Sequence, residues 1–166
     1  MRSLWGWLGI AGAIVVVDQI TKWLVDQSLP LGASVVVTSF FDLVNVRNTG
    51  AAFSILADAA GWQRGMFIAI AVVASAWIVW TLARLQGQRL FATALTLILG
   101  GAIGNLIDRV LWGAVIDFLH FHWHGSYFPA FNVADSAITC GAILAVLDGI
   151  LQAQRSRAEA AGGRGS

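Results

Sequence analysis

The sequence predicts an all-α integral membrane protein of four transmembrane helices. Both termini are expected inside, with a small extracytoplasmic β-rich segment between helices 1 and 2. Three observations carry that expectation. Of 166 residues, 58% are hydrophobic and only 11% charged, with a mean hydropathy of +0.75. Soluble domains carry about 25% charged residues, so this chain lacks the polar surface a water-soluble fold presents. Four segments reach the ~20 apolar residues a bilayer crossing needs. Eight tryptophans and nine phenylalanines suit a protein with two water–lipid interfaces to line. Composition also excludes other classes. Ten Lys and Arg against nine Asp and Glu offer no cationic stripe for nucleic acid. A single cysteine, Cys140, excludes an internal disulfide framework and any multi-cysteine metal site.

The first span runs from Leu4 to Val25 and contains two ionisable residues, Asp18 and Lys22. Residues 3–17 after Arg2 also fit the apolar part of a cleavable signal peptide, but the apolar pattern continues to Trp23 and Leu24. An outer segment, 26–64, follows. Within it Ser34–Asn48 is rich in β-branched and aromatic residues, with Gly32 and Gly50 at its edges, and reads as strands or a hairpin. The second span, Gly65–Leu85, is uncharged over residues 65–83, and a tight inner turn, Gln86–Arg89, leads to the third. That span, Leu90–Val110, is uncharged over 90–107, and Gly100, Gly101 and Gly104 allow a neighbouring helix to approach closely. Residues 111–132 form a second outer loop full of aromatics, and the last span is Val133–Leu151. Residues 1–151 thus make one membrane domain, and the polar stretch 152–166, ending AAGGRGS, reads as a disordered cytoplasmic tail. Arg2, Arg84, Arg89, Arg155, Arg157 and Arg164 then lie inside against Arg47 and Arg64 outside, which fits the positive-inside rule.

An ionisable group within a span costs about 2.5–3.5 kcal/mol on insertion scales, so each needs a reason. Asp18 and Lys22 share one face of the first helix at i,i+4. Asn105, Asp108 and Arg109 end the third helix, Asn132 and Asp135 start the fourth, and Asp117 lies in the outer loop. All fall on the extracytoplasmic side of this topology. Asp18–Lys22 and Asp108–Arg109 read as pairs that neutralise one another and fasten helices. Asp117 and Asp135 have no basic partner at local helical spacing and read as a pair of carboxylates. Two such groups within hydrogen-bonding reach share one proton, which suits general acid–base hydrolysis through a held water. The residues alone leave other readings open. A small proton-coupled transporter or channel would use Asp18 as its relay, and a scaffold would use the polar groups only to fasten helices. His120, His122 and His124 alternate and on a strand would share a face for a metal, although no orienting carboxylate is evident nearby and an interfacial aromatic belt explains them. A Ser136–Lys22 dyad finds no support in spacing, and Cys140 reads as an inert mid-span packing residue.

Five blocks then acquire a common meaning: DQITK at 18–22, VRNTGAAFS at 46–54, GGAIGNLIDR at 100–109, VIDF at 115–118 and FNVADS at 131–136. Together and in this order they resemble the signature blocks of lipoprotein signal peptidase, or signal peptidase II, a bacterial inner-membrane aspartic peptidase family. The resemblance implies that Asp117 and Asp135 are catalytic, and that Asp18, Lys22, Asn48, Asn105, Arg109 and Asn132 support them or bind substrate. It implies a diacylglyceryl-modified prolipoprotein as substrate, cut on the amino side of the lipidated lipobox cysteine. It further implies no metal or organic cofactor, inhibition by globomycin, and an active site facing the periplasm. A monomer in contact with membrane lipid is the expected state.

Overall fold

The computed structural model describes residues 3–50 and 61–162, with side chains through residue 159. Arg2, Arg164 and the 51–60 part of the first outer segment lie outside the described residues. Four long helices are present: α1 (Leu4–Ser28), α2 (Trp62–Arg84), α3 (Arg89–Leu111) and α4 (Val133–Gly162). All four are long and apolar enough to cross a membrane. Their boundaries follow local signals. Pro30 stands two residues past the end of α1, where its missing N–H cannot continue the helix. Gly61 and Gly113 take left-handed φ values of 88° and 79° just before α2 and just after α3.

One boundary departs from expectation. The fourth helix does not stop at Leu151 in a disordered tail but continues to Gly162. Residues 152–160, QAQRSRAEA, are mostly strong helix formers, and their polarity had concealed that propensity.

α3 is the central helix and packs against α1, α2 and α4. Buried Ala11, Ile78, Leu82, Ala92, Leu95 and Leu99 join α1, α2 and α3. The glycines of α3 set its closest approaches. A Cβ at Gly100 would meet Ile14 Cβ of α1 at 2.8 Å, and one at Gly101 would meet the Ala134 carbonyl of α4 at 2.3 Å. Ile70, Val73 and Trp77 of α2 and Ile143, Val146 and Ile150 of α4 stay exposed, as faces that lipid covers.

At the end of the bundle where α1 and α3 finish and α4 begins lies a four-stranded antiparallel sheet. Its order is β1 (Ser34–Thr38), β2 (Phe41–Asn48), β3 (Val115–Trp123) and β4 (Ser126–Tyr127). β1 and β2 form the expected hairpin, with Ser34 opposite Val44. The second outer loop differs from the sequence reading. Its centre is a nine-residue strand, β3, paired with β2 so that Phe41 faces Phe121 and Asn48 faces Val115. Residues 115–118 are all buried, so the half-exposed alternation that marks a strand in sequence is missing there. The chain then doubles back, and Phe131 exchanges backbone hydrogen bonds with Leu119 at 2.8 and 3.0 Å.

Candidate active site

Three junctions converge at this end of the bundle: the close of β2, the start of β3 and the start of α4. The β2–β3 register sets Val46 opposite Asp117. Asn48 then donates its Nδ2 to Asp117 Oδ2 at 2.9 Å. The other oxygen, Asp117 Oδ1, accepts Asn132 Nδ2 at 2.8 Å.

Asn132 directly precedes α4 and builds a reciprocal cap with Asp135. Its Oδ1 accepts the Asp135 N–H at 2.9 Å, while Asp135 Oδ2 accepts the Asn132 N–H at 3.2 Å. Asp135 Oδ1 is left free to accept Asn105 Nδ2 from α3, at 2.7 Å. One fully buried asparagine, Asn132, therefore touches both carboxylates. Both line a cavity of about 520 Å³ together with Asn48, Asn105 and Arg109.

Asp117 is 2% exposed. Burial, and then the neighbouring charge of Asp135, push its carboxyl from the ordinary 3.8 to about 7, against the opposing hydrogen bond from Asn48.

Behind this layer lies a buried charge cluster. Lys22 Nζ reaches Asp18 Oδ2 and Asp108 Oδ2, both at 2.8 Å, and donates to Asn105 Oδ1 at 2.9 Å. The Asp18–Lys22 pair is as expected, but the Asp108–Arg109 pair is not found. Neighbours on a helix point in different directions, so Asp108 turns inward to Lys22. Arg109 instead donates to the Gly50 carbonyl at 3.0 Å, with its guanidinium 5.0 Å from the Phe67 ring centroid. Gln19 was not singled out from sequence, yet its Nε2 donates to Asp108 Oδ1 at 2.9 Å and Asp18 Oδ2 at 3.2 Å. The eight residues that the resemblance names as catalytic or supporting thus meet at one end of the bundle.

The weaker candidates separate from it. Ser136 donates to the Asn132 carbonyl and Lys22 is engaged elsewhere, which removes the Ser–Lys pairing. Only His120 and His122 lie on β3, while His124 takes a φ of 46° in the following turn. The carboxylate that sequence spacing did not reveal is Asp42 of β2, 3.3 Å from His122 Nε2 and 3.9 Å from His120 Nδ1. Among the described residues, no group of three His, Cys, Asp or Glu is placed to hold a metal ion. Cys140 is exposed and lines the cavity rather than packing in a core.

The family model described as Signal peptidase (SPase) II matches residues 10–151, most of the chain and all of this site. The chain belongs to the signal peptidase II family. The lipoprotein signal peptidase of Paraburkholderia phytofirmans is 54% identical over 155 residues, 93% of this chain and 90% of that protein. That of Janthinobacterium sp. is 55% identical over 146 residues, 88% of each. A bacterial membrane enzyme solved by the in meso method at 2.3 Å superposes with a TM-score of 0.77 at 34% identity, over 88% of this chain and 87% of that one. The chain is accordingly an aspartic-type peptidase of a bacterial membrane, acting in the removal of signal peptides from prolipoproteins.

Proposed function

We propose that Asp117 and Asp135 are the catalytic pair, and that the enzyme cuts on the amino side of a diacylglyceryl-modified cysteine. The observation that carries this reading is the shared contact with Asn132, which holds both carboxylates against one cavity. Asp117 holds the proton and Asp135 is the anion. Asp135 sits in the first turn of α4, where the helix dipole favours negative charge, and Asp117 keeps its proton up to about pH 7. Asp135 takes a proton from a water in the cleft as its oxygen attacks the scissile carbonyl carbon. Asp117 gives its proton to the carbonyl oxygen. Collapse of the tetrahedral intermediate breaks the C–N bond: the cysteine nitrogen leaves with the proton Asp135 took from the water, and Asp117 recovers its proton from a hydroxyl of the intermediate, which restores the pair.

Asn48, Asn105 and Asn132 orient the pair, with Asp18 and Lys22 behind them, and Arg109 closes one wall of the cleft. The outer segment 34–48, whose strand β1 is an edge of the sheet, suits an extended peptide held through its main chain. We also assign the amino terminus to the cytoplasm of a bacterial inner membrane, with the cleft at the periplasmic face where a lipidated cysteine is anchored. A globomycin-type cyclic peptide would occupy the same cavity, whose volume lies in the small-ligand range, and the enzyme acts as a monomer.

The test is cleavage in detergent of a synthetic precursor peptide with a diacylglyceryl cysteine, beside the same peptide without lipid. The expected product begins at the lipidated cysteine by mass spectrometry, and removing the lipid lowers kcat/KM by about a hundredfold or more, since that binding energy is lost in the transition state. Equal cleavage of both peptides, or a cut elsewhere, overturns the reading.

The pH dependence has a definite sign. Below about pH 7 Asp117 is protonated in the folded enzyme, so kcat/KM falls as pH rises through about 7 and the pair gains a second negative charge. Stability moves the same way. A carboxyl raised from 3.8 to about 7 contributes fully below about pH 4, and that contribution is lost as pH rises toward 7. A kcat/KM profile flat from pH 5 to 9 is the contrary result.

A further inference from the structure

The buried cluster behind the cleft carries more negative charge than its neutrality requires. Lys22 supplies one cation, and either Asp18 or Asp108 alone would balance it, yet both carboxylates are buried against it at 2.8 Å. A second buried anion is expensive unless hydrogen bonds repay it. Their remaining partners show what the extra carboxylate does. Asp108 Oδ2 accepts the backbone N–H of Ile116 at 3.1 Å, and Asp18 Oδ1 accepts the backbone N–H of Ala134 at 2.8 Å. Each amide belongs to the residue immediately before one member of the proposed pair: Ile116 before Asp117, Ala134 before Asp135.

We infer that Asp18 and Asp108, bridged by Lys22 and Gln19, form a clamp that fixes the separation of Asp117 and Asp135 through the two preceding backbone amides. The inference rests on the dyad reading above and adds Asp108 and Gln19 as positioning residues. The clamp spans three helices and one strand. Lys22 and Gln19 come from α1, Asp108 from α3, and the amides from β3 and α4. Gln19 completes it on the outer side by donating to both carboxylates and to the Gly104 carbonyl at 3.1 Å. Gly104 is part of the fit, because a Cβ there would lie 2.6 Å from Asp18 Oδ2. Lys22 also fixes Asn105 through its Oδ1, which directs the Asn105 Nδ2 toward Asp135. A shared proton is sensitive to the distance between its two carboxyls, so loosening either amide acts on the chemistry without touching the substrate.

Asp108→Ala is the informative variant, because it leaves Lys22 and Asp18 as a neutral buried pair, whereas loss of Lys22 strands two anions. In the lipidated-peptide assay, Asp108→Ala is expected to lower kcat by about thirtyfold with KM within about threefold. The limb of the pH profile near 7 should also move downward as the carboxyls drift apart. Asp108→Asn keeps an oxygen for the Ile116 amide and Lys22 but turns an NH₂ toward Gln19 Nε2, so it should recover part of the loss. Gln19→Ala is the milder companion, expected to lower kcat by about fivefold with the same direction of pH shift, and it decides the matter if Asp108→Ala does not fold. Wild-type kcat and pH profile in the folded Asp108→Ala enzyme, or in Gln19→Ala if the former is lost, overturns the clamp. So does an activity loss that only tracks the folded fraction, with no shift of the limb. Asp117→Asn run in parallel separates the two readings: if it retains normal activity the dyad itself fails, whereas an inactive Asp117→Asn beside a normal Asp108→Ala removes only the clamp.

Discussion

Asp117→Asn and Asp135→Asn are each expected to lower kcat by about three to four powers of ten, because an amide fills the carboxyl's volume but neither gives nor takes the proton that hydrolysis moves. The two variants differ in what they do to the fold. At Asp117 both oxygens accept from side-chain amides, Asn48 Nδ2 and Asn132 Nδ2. An introduced NH₂ therefore faces one donor, and Asn48 can turn to present its oxygen only by giving up the Gly50 N–H that it accepts at 2.9 Å. At Asp135 there is less freedom. Asn105 cannot turn, because its Oδ1 is already held by Lys22 and Asn132. Asp135→Asn thus leaves a buried donor–donor clash costing about 1–3 kcal/mol, and Asp117→Asn less. The check is kcat on the lipidated precursor together with thermal unfolding in detergent. Because the two carboxyls act as a unit, the double variant should be no slower than either single one. Normal processing by either single variant would remove the dyad assignment.

Much of this arrangement is legible in the sequence, for reasons that can be named. The uncharged runs at 65–83 and 90–107 fix two helices almost by length alone. FNVADS carries its own local geometry: an asparagine three residues ahead of an aspartate at a helix start is a capping box, and that box orients Asp135. Asp117 and Asp135 stand out because nothing at i±3 or i±4 neutralises them.

What escaped the sequence reading depends on contacts distant along the chain. Lys22 meets Asp108 across 86 positions, so the adjacent Arg109 looked like the natural partner. Asp42 faces His120 only because of the β2–β3 register, which shifts between Leu43 and Val46. β3 itself was hidden because residues 115–118 are buried on both sides. The helical stretch after Leu151 was hidden by polarity, a property that disorder and an exposed helix share.

The second large effect falls on packing rather than on proton transfer. Gly101→Ala places a methyl group 2.3 Å from the Ala134 carbonyl oxygen and 2.7 Å from Ile138 Cγ1. A side chain can rotate away, but the carbonyl is backbone, one residue before Asp135 and next to the amide that Asp18 holds. Relief therefore requires α3 and α4 to part by about 1 Å, at a cost of about 3 kcal/mol or more. The same displacement carries Asp135 away from Asn105 and from the Asn132 cap, so activity should fall by about a hundredfold even in the fraction that stays folded. Gly149→Ala is the matched control on α4. A Cβ there meets nothing within 4 Å, and replacing a helical glycine stabilises by about 0.5–1 kcal/mol. Thermal unfolding in detergent should thus shift in opposite directions for the two variants. If Gly101→Ala melts with Gly149→Ala and cleaves at the normal rate, then close contact between α3 and α4 does not hold Asp135 in place, and its position must rest on the polar contacts alone.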